Sequence, residues 1–283
     1  MIIMKIGEAL KEIRLNLGLS QAKMCEGIIQ RPFYTLVENG KSGIGAESLI
    51  LILIKHEVDV DYFYNLVKDS YTTPELLMDR LLQSKMDEAV NVKDIKTINL
   101  YKNKIIKFST NEILKLRSQV TAAYFSNQLD EINNETKEKI YKEFDKEEWT
   151  KNPEILRLLA NTMPLWEQDA LFNLMSHLLR SIRKKVGQSE LMIERYIRIL
   201  ENFLVTCYEK DLYKKKEYTI LIGGILNYII ENTSLFHFMI YRMHAYYMKA
   251  LYKEDKVEAI NICNLMKKYG YGDLIASWPK IKM

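Results

Sequence analysis

Apolar side chains recur every three or four positions along almost the whole chain, which is the period of an α-helix. The first such stretch carries Ile6, Leu10, Ile13 and Leu17 on one face. Gly18 follows it as a helix stop. The same reading predicts four more short helices before residue 68, over 21–26, from about 31 to 39, over 46–55 and over about 59–67. Ser20 is placed to cap the second of them.

A polar stretch over 68–73, followed by Pro74, interrupts this pattern and predicts a domain boundary. We expect a first domain over 1–68 and a second over 74–283. The second is again one helix after another. Breaks are predicted near residues 91, 109–111, 133–134, 152–153, 164, 187–189, 211, 232–234, 254–255 and 270–272.

A weak repeat runs through the second domain. The segment Leu156–Asn161 is echoed by Ile197–Asn202, and a looser copy lies at Leu114–Gln119, so the period is close to 40 residues. Each copy pairs a cation with a carboxamide four positions later, on the same helix face. The pairs are Lys115 with Gln119, Arg157 with Asn161, and Arg198 with Asn202. Such a period is typical of helical hairpins stacked into a superhelix.

Composition supports an all-α chain, because 11 glycines and 5 prolines in 283 residues are too few for a turn-rich sheet protein. The net charge of +4 is mild, and the three cysteines indicate a reducing compartment. The longest apolar run, Leu49–Ile54, is too short to cross a bilayer. A soluble, cytoplasmic protein is expected. The sequence contains no phosphate-loop, dinucleotide, hydrolase or zinc motif, so we expect neither an enzyme nor a cofactor or metal.

Residues 6–66 resemble the helix-turn-helix domains of the lambda-repressor type. The resemblance rests on the first helix, on the Gly-Leu-Ser-Gln turn at 18–21 and on the Arg-Pro-Phe-Tyr-Thr-Leu-Val-Glu-Asn-Gly-Lys segment at 31–41. It implies a third helix that enters the major groove of DNA. Arg14 and Glu38 resemble the ion pair that joins the first and third helices of such domains, which is a structural role.

The resemblance implies DNA contacts for five residues. Gln21 and Lys41 are expected to hold phosphates, and Gln30, Arg31 and Thr35 are expected to read bases. Tyr34 and Val37 are expected in the core. Phe33 could contact a thymine methyl, although core packing is the favoured alternative.

The charge of this first domain is not that of a strong DNA binder. Residues 1–66 hold seven Lys and Arg against eight Asp and Glu. Counterion release needs local cations, so we expect a single copy to bind DNA weakly. The protein is therefore expected to bind two half-sites of a promoter as a homodimer.

The whole chain resembles the Rgg/GadR/MutR family of transcriptional regulators. The resemblance is carried by 31–41, by Glu148-Trp149 with 155–161, and by the helix over 165–179. It implies a tetratricopeptide-like repeat domain that dimerises and binds a short hydrophobic signalling peptide, as in quorum sensing of Gram-positive bacteria. Leu36 stands where many members carry a basic residue.

The repeated polar pairs gain a role from this resemblance. A carboxamide can donate to and accept from a peptide backbone, and an arginine can clamp a carboxylate. We expect Arg157, Asn161, Arg198 and Asn202 to line a peptide groove, with Lys115 and Gln119 at its rim. The aromatic residues Trp166, Phe203, Tyr241 and Tyr246 could seat apolar peptide side chains.

The sequence is compatible with three alternatives. The polar pairs could be helix-to-helix hydrogen bonds or a solvated face. The protein could be a regulator of the same fold controlled by a protein partner or by oxidation of Cys25. It could also be a helical-repeat scaffold that does not read DNA.

Overall fold

A computed structural model describes residues 4–146, 148–184 and 187–282. Every regular element within these ranges is helical, which confirms the all-α prediction. The chain separates into two compact units, Met1–Leu81 (the N-terminal unit) and Leu82–Met283 (the C-terminal unit). Within the described ranges, no helix is both long enough and apolar enough to cross a bilayer.

The N-terminal unit begins with five helices that follow the predicted ones closely. They are α1 Ile6–Asn16, α2 Gln21–Cys25, α3 Arg31–Glu38, α4 Ala46–Lys55 and α5 Val60–Val67. Ser20 caps α2 by accepting a hydrogen bond from the Lys23 amide. Gly40 adopts a positive φ of 67° after α3, so the Lys41 amide can turn back to bond the Leu36 carbonyl.

The core of this unit forms where α1, α2 and α3 meet. Leu10, Met24 and Tyr34 are fully buried there, and Val37 is nearly so, as the sequence predicted for Tyr34 and Val37. At Gly7 the backbones of α1 and α3 approach so closely that a Cβ atom would lie 1.9 Å from the Val37 carbonyl oxygen. The position of α3 therefore depends on a glycine in α1.

The predicted boundary segment is a single 3₁₀ turn, Lys68–Tyr71, and Pro74 starts the next helix. This helix, α6 Pro74–Asn91, contains the point at which the two compact units divide. The functional domain limits of 1–68 and 74–283 remain a prediction.

The C-terminal unit continues with nine helices over its described residues, and most begin at the predicted breaks. They are α7 Ile95–Phe108, α8 Glu112–Phe125, α9 Asn134–Phe144, α10 Pro153–Thr162, α11 Gln168–Arg183, α12 Glu190–Glu209, α13 Lys216–Asn232, α14 Met239–Tyr252 and α15 Lys256–Lys268. Short polar side chains fix many of these starts: Asp94, Asn111, Asn133, Asn152, Ser189 and Asp255 each accept a hydrogen bond from an amide in the first turn.

These helices pack in two layers. In one layer α8 contacts α10, α10 contacts α12, and α12 contacts α14. In the other, α11 contacts α13. One large apolar core, which includes Leu158, Leu200 and Ile225, lies between them. The three copies of the weak repeat therefore fall on neighbouring helices α8, α10 and α12.

Candidate functional site

The exposed surface of α3 is polar at its start and apolar in its middle. Gln30, Arg31 and Lys41 are all exposed. Phe33 is 38% exposed and lies outside the core of the N-terminal unit, so the expectation that it packs in the core is wrong. It shares this surface with Leu36, which is 44% exposed. Exposed apolar side chains such as Phe33 and Leu36 can contact thymine methyl groups, while the polar side chains at the start of α3 can reach polar base edges.

A hydrogen-bonded network behind this surface joins the first three helices. Arg14 Nε lies 2.6 Å from a Glu38 carboxylate oxygen, and Arg14 Nη2 donates to the other oxygen at 3.0 Å. Gln21 Nε2 donates to the same carboxylate at 2.7 Å. Thr35 Oγ1 in turn donates to Gln21 Oε1 at 2.9 Å. The side chains assigned to DNA at Gln21 and Thr35 are therefore bonded to each other, because both face the joint between α2 and α3.

Burial and hydrogen bonding oppose each other at this ion pair. Burial by itself would raise the pKa of Glu38, but hydrogen bonds from Arg14 and Gln21 outweigh it and hold that pKa below its usual value. The hydrogen bond to Glu38 raises the pKa of Arg14. Both groups are thus charged near neutral pH, and the pair joins the end of α3 to α1.

Cys25 lies in the core behind α2 and is 1% exposed. Burial raises the pKa of its thiol, and its Sγ lies 3.1 Å from the Gln21 carbonyl oxygen. Because the thiolate is the reactive form, this environment opposes control by oxidation of Cys25.

In the C-terminal unit, the two predicted asparagines connect neighbouring helices. Asn161 on α10 accepts a hydrogen bond from Arg117 Nε on α8 at 2.8 Å. Asn202 on α12 donates to the Ala160 carbonyl oxygen on α10 at 3.4 Å. Together, Arg117, Asn161 and Asn202 form a polar row across α8, α10 and α12, and we call it the polar row below.

The predicted arginines flank the polar row and already have carboxylate partners. Arg157 pairs with Glu154 one turn earlier on α10, and Arg198 Nη2 lies 2.8 Å from Glu194 on α12. Since both arginines are partly exposed, these ion pairs can exchange for a ligand at small cost.

Arg117 is the functional candidate that the sequence did not reveal. It is only 8% exposed, and within the described part of the chain its Nη1 is buried with no hydrogen-bond partner. A cavity of about 50 Å³ beside it is lined by Gln83, Asp87 and Asn161, among others. Desolvation raises the pKa of Asp87, and the nearby Arg117 opposes that shift. A buried cation with a free donor is a ready partner for an anionic group.

No protein-family model matches the sequence, and no curated protein is significantly similar to it. Solved structures do match along nearly the full length. A protein from Listeria monocytogenes EGD-e, assigned as a transcriptional regulator, superposes with a TM-score of 0.74 at 20% identity, covering 95% of this chain and 92% of that one. The SHP pheromone receptor Rgg2 of Streptococcus dysgalactiae gives 0.67 at 14%, covering 96% and 97%. The PrgX/cCF10 complex gives 0.61 at 18%, covering 96% of each chain. The chain has the Rgg/PrgX fold.

Two of the expected groove residues lie elsewhere in the Rgg/PrgX fold. Gln119 lines a cavity together with Asn99 on α7 and Thr136 on α9, and Lys115 Nζ pairs with Glu112 at 2.8 Å. In the sequence repeat, Lys115 aligns with Arg157 and Gln119 aligns with Asn161. In three dimensions Arg117 takes that place, because residues two apart on a helix point about 200° apart.

The four aromatic residues expected at the groove lie in different environments. Phe203 is completely buried in the core and cannot line an open groove, so that expectation is wrong. Trp166 lies between α10 and α11, away from the polar row. Tyr241 donates its hydroxyl to Glu194 at 2.6 Å, and Arg198 lies over its ring. Tyr246 is 38% exposed on α14.

A second cluster, also missed by the sequence reading, joins α12 and α14. His244 Nδ1 lies 2.8 Å from a Glu201 carboxylate oxygen, and both side chains are largely buried. Burial raises the pKa of Glu201, and the bond to His244 opposes that shift. The signal was present, since Glu201 directly precedes Asn202 in the repeat, but only the packing of α14 supplies its partner.

Proposed function

We propose that this protein is a DNA-binding transcriptional regulator whose activity is controlled by a short linear peptide. The proposal rests on the structural similarity to known proteins, which covers both the N-terminal and the C-terminal unit. The similar proteins include a pheromone receptor, Rgg2, and PrgX in complex with cCF10. The fold alone does not fix a function, so the proposal also rests on the surfaces of α3 and of the polar row.

The DNA-binding half rests on the geometry of α3. Its first turn exposes Gln30 and Arg31, and Lys41 is exposed just beyond its end. The Arg14–Glu38 network holds these groups on a rigid bundle, as base readout requires. With seven cations against eight acids in residues 1–66, one copy offers few phosphate contacts. A homodimer on two half-sites would double them.

Arg31→Ala should reduce affinity for a promoter fragment by about 1–3 kcal/mol and relax the preference for one base. Lys41→Ala should instead weaken binding to all sequences and make it less dependent on salt. Titration of labelled promoter DNA at two salt concentrations measures both effects.

Lys68→Ala is the matched control, since this lysine lies at the end of α5 and bonds Asn65. Its affinity should equal that of the unchanged protein. An Arg31→Ala variant with unaltered affinity and base preference would favour the scaffold alternative.

The peptide-binding half rests on unused hydrogen-bonding capacity in the polar row. Arg117 keeps a buried donor, and each asparagine side chain can both donate and accept. A peptide laid across α8, α10 and α12 would meet a carboxamide on two neighbouring helices. Its terminal carboxylate would satisfy Arg117. Binding would favour one arrangement of the repeat helices and so bias DNA binding by population shift.

Asn202→Ala should weaken binding of short hydrophobic peptides about threefold to tenfold, the worth of one hydrogen bond. Asn202 is exposed, so the fold should persist. The probes are pooled synthetic peptides with free carboxyl ends and the same pool with amidated ends, measured by fluorescence anisotropy.

Asn227→Ala on α13, an exposed asparagine in the other layer, should leave peptide affinity unchanged. Amidation should cost about tenfold if Arg117 receives the carboxylate. If the Asn202 and Asn227 variants bound the peptides with equal affinity, peptide binding at the polar row would be contradicted. DNA binding measured without peptide tests the DNA-binding half of the proposal separately.

A further inference from the structure

A further cavity, of about 950 Å³, lies between α9 and α11. None of the residues that line it belongs to α8, α10 or α12, so it is separate from the polar row. Its volume falls in the range of small-molecule sites. Aromatic rings make up much of its wall, from Tyr141 and Phe144 on α9 to Trp149, Trp166 and His177.

These rings form one continuous aromatic surface. The ring centroids of Tyr141 and Trp166 lie 4.5 Å apart, those of Phe144 and Trp166 5.1 Å, and those of Phe144 and Trp149 5.3 Å. His177 stacks on Trp149 at 5.7 Å. Packing therefore holds the surface in a fixed shape before any ligand arrives.

The rim of the cavity carries three carboxylates, those of Asp145, Glu148 and Glu167, of which Glu148 is already paired with Lys151. Its two cations have partners of their own, since Lys146 Nζ lies 2.5 Å from Glu143 and Arg180 Nε donates to the Ser176 carbonyl oxygen at 3.3 Å. Glu167 directly follows Trp166 in the chain and lines the same cavity.

No lysine or arginine of the described ranges lies over these rings. Elsewhere the chain covers aromatic rings with its own cations, as Lys282 does over Tyr208 at 4.9 Å and Arg242 over Tyr246 at 6.0 Å. Phe144, Trp149 and Trp166 are buried against one another, so the ring surface open to an external group is mainly that of Tyr141 and His177. A ring face is negative at its centre, and a cation that loses water against it is attracted most strongly.

We propose that the cavity between α9 and α11 binds a small organic cation with an alkylated ammonium group, seated on the aromatic surface beside Glu167. The open face of Tyr141 supplies cation–π attraction, and Asp145 and Glu167 supply charge. A neutral molecule of the same shape would gain only the apolar contact. This site goes beyond the peptide-controlled regulation proposed above and does not depend on it.

Fluorescence gives a direct measurement, because Trp149 and Trp166 line the cavity and the third tryptophan, Trp278, packs on His244 and Tyr247 instead. In a Trp278→Phe background of the full chain, choline should change the indole emission saturably. Its neutral isostere 3,3-dimethylbutan-1-ol should bind at least about fivefold more weakly, and sodium chloride at equal ionic strength should have no effect. Equal affinity for choline and the alcohol, or no saturable change with choline, would overturn the proposal.

A second variant keeps the test independent of folding. Glu167 precedes α11 but makes no side-chain capping bond, so Glu167→Gln should preserve the helix and weaken choline binding severalfold. Glu217→Gln, in the first turn of α13 and outside the cavity, is the matched control and should not change it. An equal loss in both variants would show a general charge effect and refute the site.

Discussion

Glu38→Ala should lower the free energy of unfolding of the N-terminal unit by about 3–5 kcal/mol. The Glu38 side chain is 1% exposed and receives hydrogen bonds from Arg14 and Gln21. Its removal leaves the Arg14 guanidinium, itself only 11% exposed, without a countercharge. Hydrogen exchange of the α1 and α3 amides in the full chain measures the loss. Promoter affinity should fall with it, although neither residue needs to touch DNA.

Two comparisons separate the buried pair from a generic loss of charge. Arg14→Leu combined with Glu38→Leu should recover much of the stability, because no charge is then left buried. Glu26→Ala, which breaks an exposed pair with Lys23 in the same unit, should change little. A Glu38→Ala protein as stable as the Glu26→Ala protein would refute the proposed role of the pair.

The pH dependence of stability supplies an independent check on Glu38. Its pKa is lower in the folded state than in the unfolded state. The unfolded chain therefore binds the proton more tightly, and the stabilisation is complete above the unfolded value near 4.5. It is lost as the pH falls through the lower folded value. Glu38→Gln should remove this acid limb from the stability profile of the N-terminal unit.

Gly7→Ala should destabilise the same unit by about 3 kcal/mol or more, beyond the usual cost of an added methyl group. The new Cβ would lie 1.9 Å from the Val37 carbonyl oxygen and 2.9 Å from its carbonyl carbon. Those atoms are backbone and cannot rotate away as a side chain would, so α1 and α3 must separate. Thermal unfolding and promoter binding should both report the change.

Gly43→Ala provides the control within the same unit. A Cβ there meets nothing within 4 Å, so the substitution should be close to neutral. If Gly7→Ala were equally well tolerated, the close approach of α1 to α3 would be wrong, and with it the account of how α3 is held.

Much of the fold could be predicted because its signals are local. Apolar spacing predicted the observed limits of α4, Ala46–Lys55. Ser20 marked the start of α2, because its hydroxyl accepts a hydrogen bond from the amide of Lys23, only three residues later. The end of α3 at Asn39-Gly40 is local in the same way. Such signals depend on helix period and capping chemistry alone.

The candidate sites could be predicted only in part, because their partners are distant in sequence. The repeat identified Asn161 and Asn202, but Arg117 reaches Asn161 across 44 residues and lies in the loose repeat copy at neither of the paired positions. Likewise, Gln21 and Thr35 had the residue types of DNA contacts, while the structure bonds them to each other.

The sequence by itself determined that this protein is a string of helices with a helix-turn-helix pattern at one end and a repeat at the other. Period and capping act within a few residues, so no further information was needed for that. The tertiary structure decided which faces of those helices meet. Only the packing of α8 against α10 buries Arg117, only the approach of α1 to α3 requires Gly7, and only the packing around α9 and α11 gathers four aromatic residues and a histidine into one cavity wall.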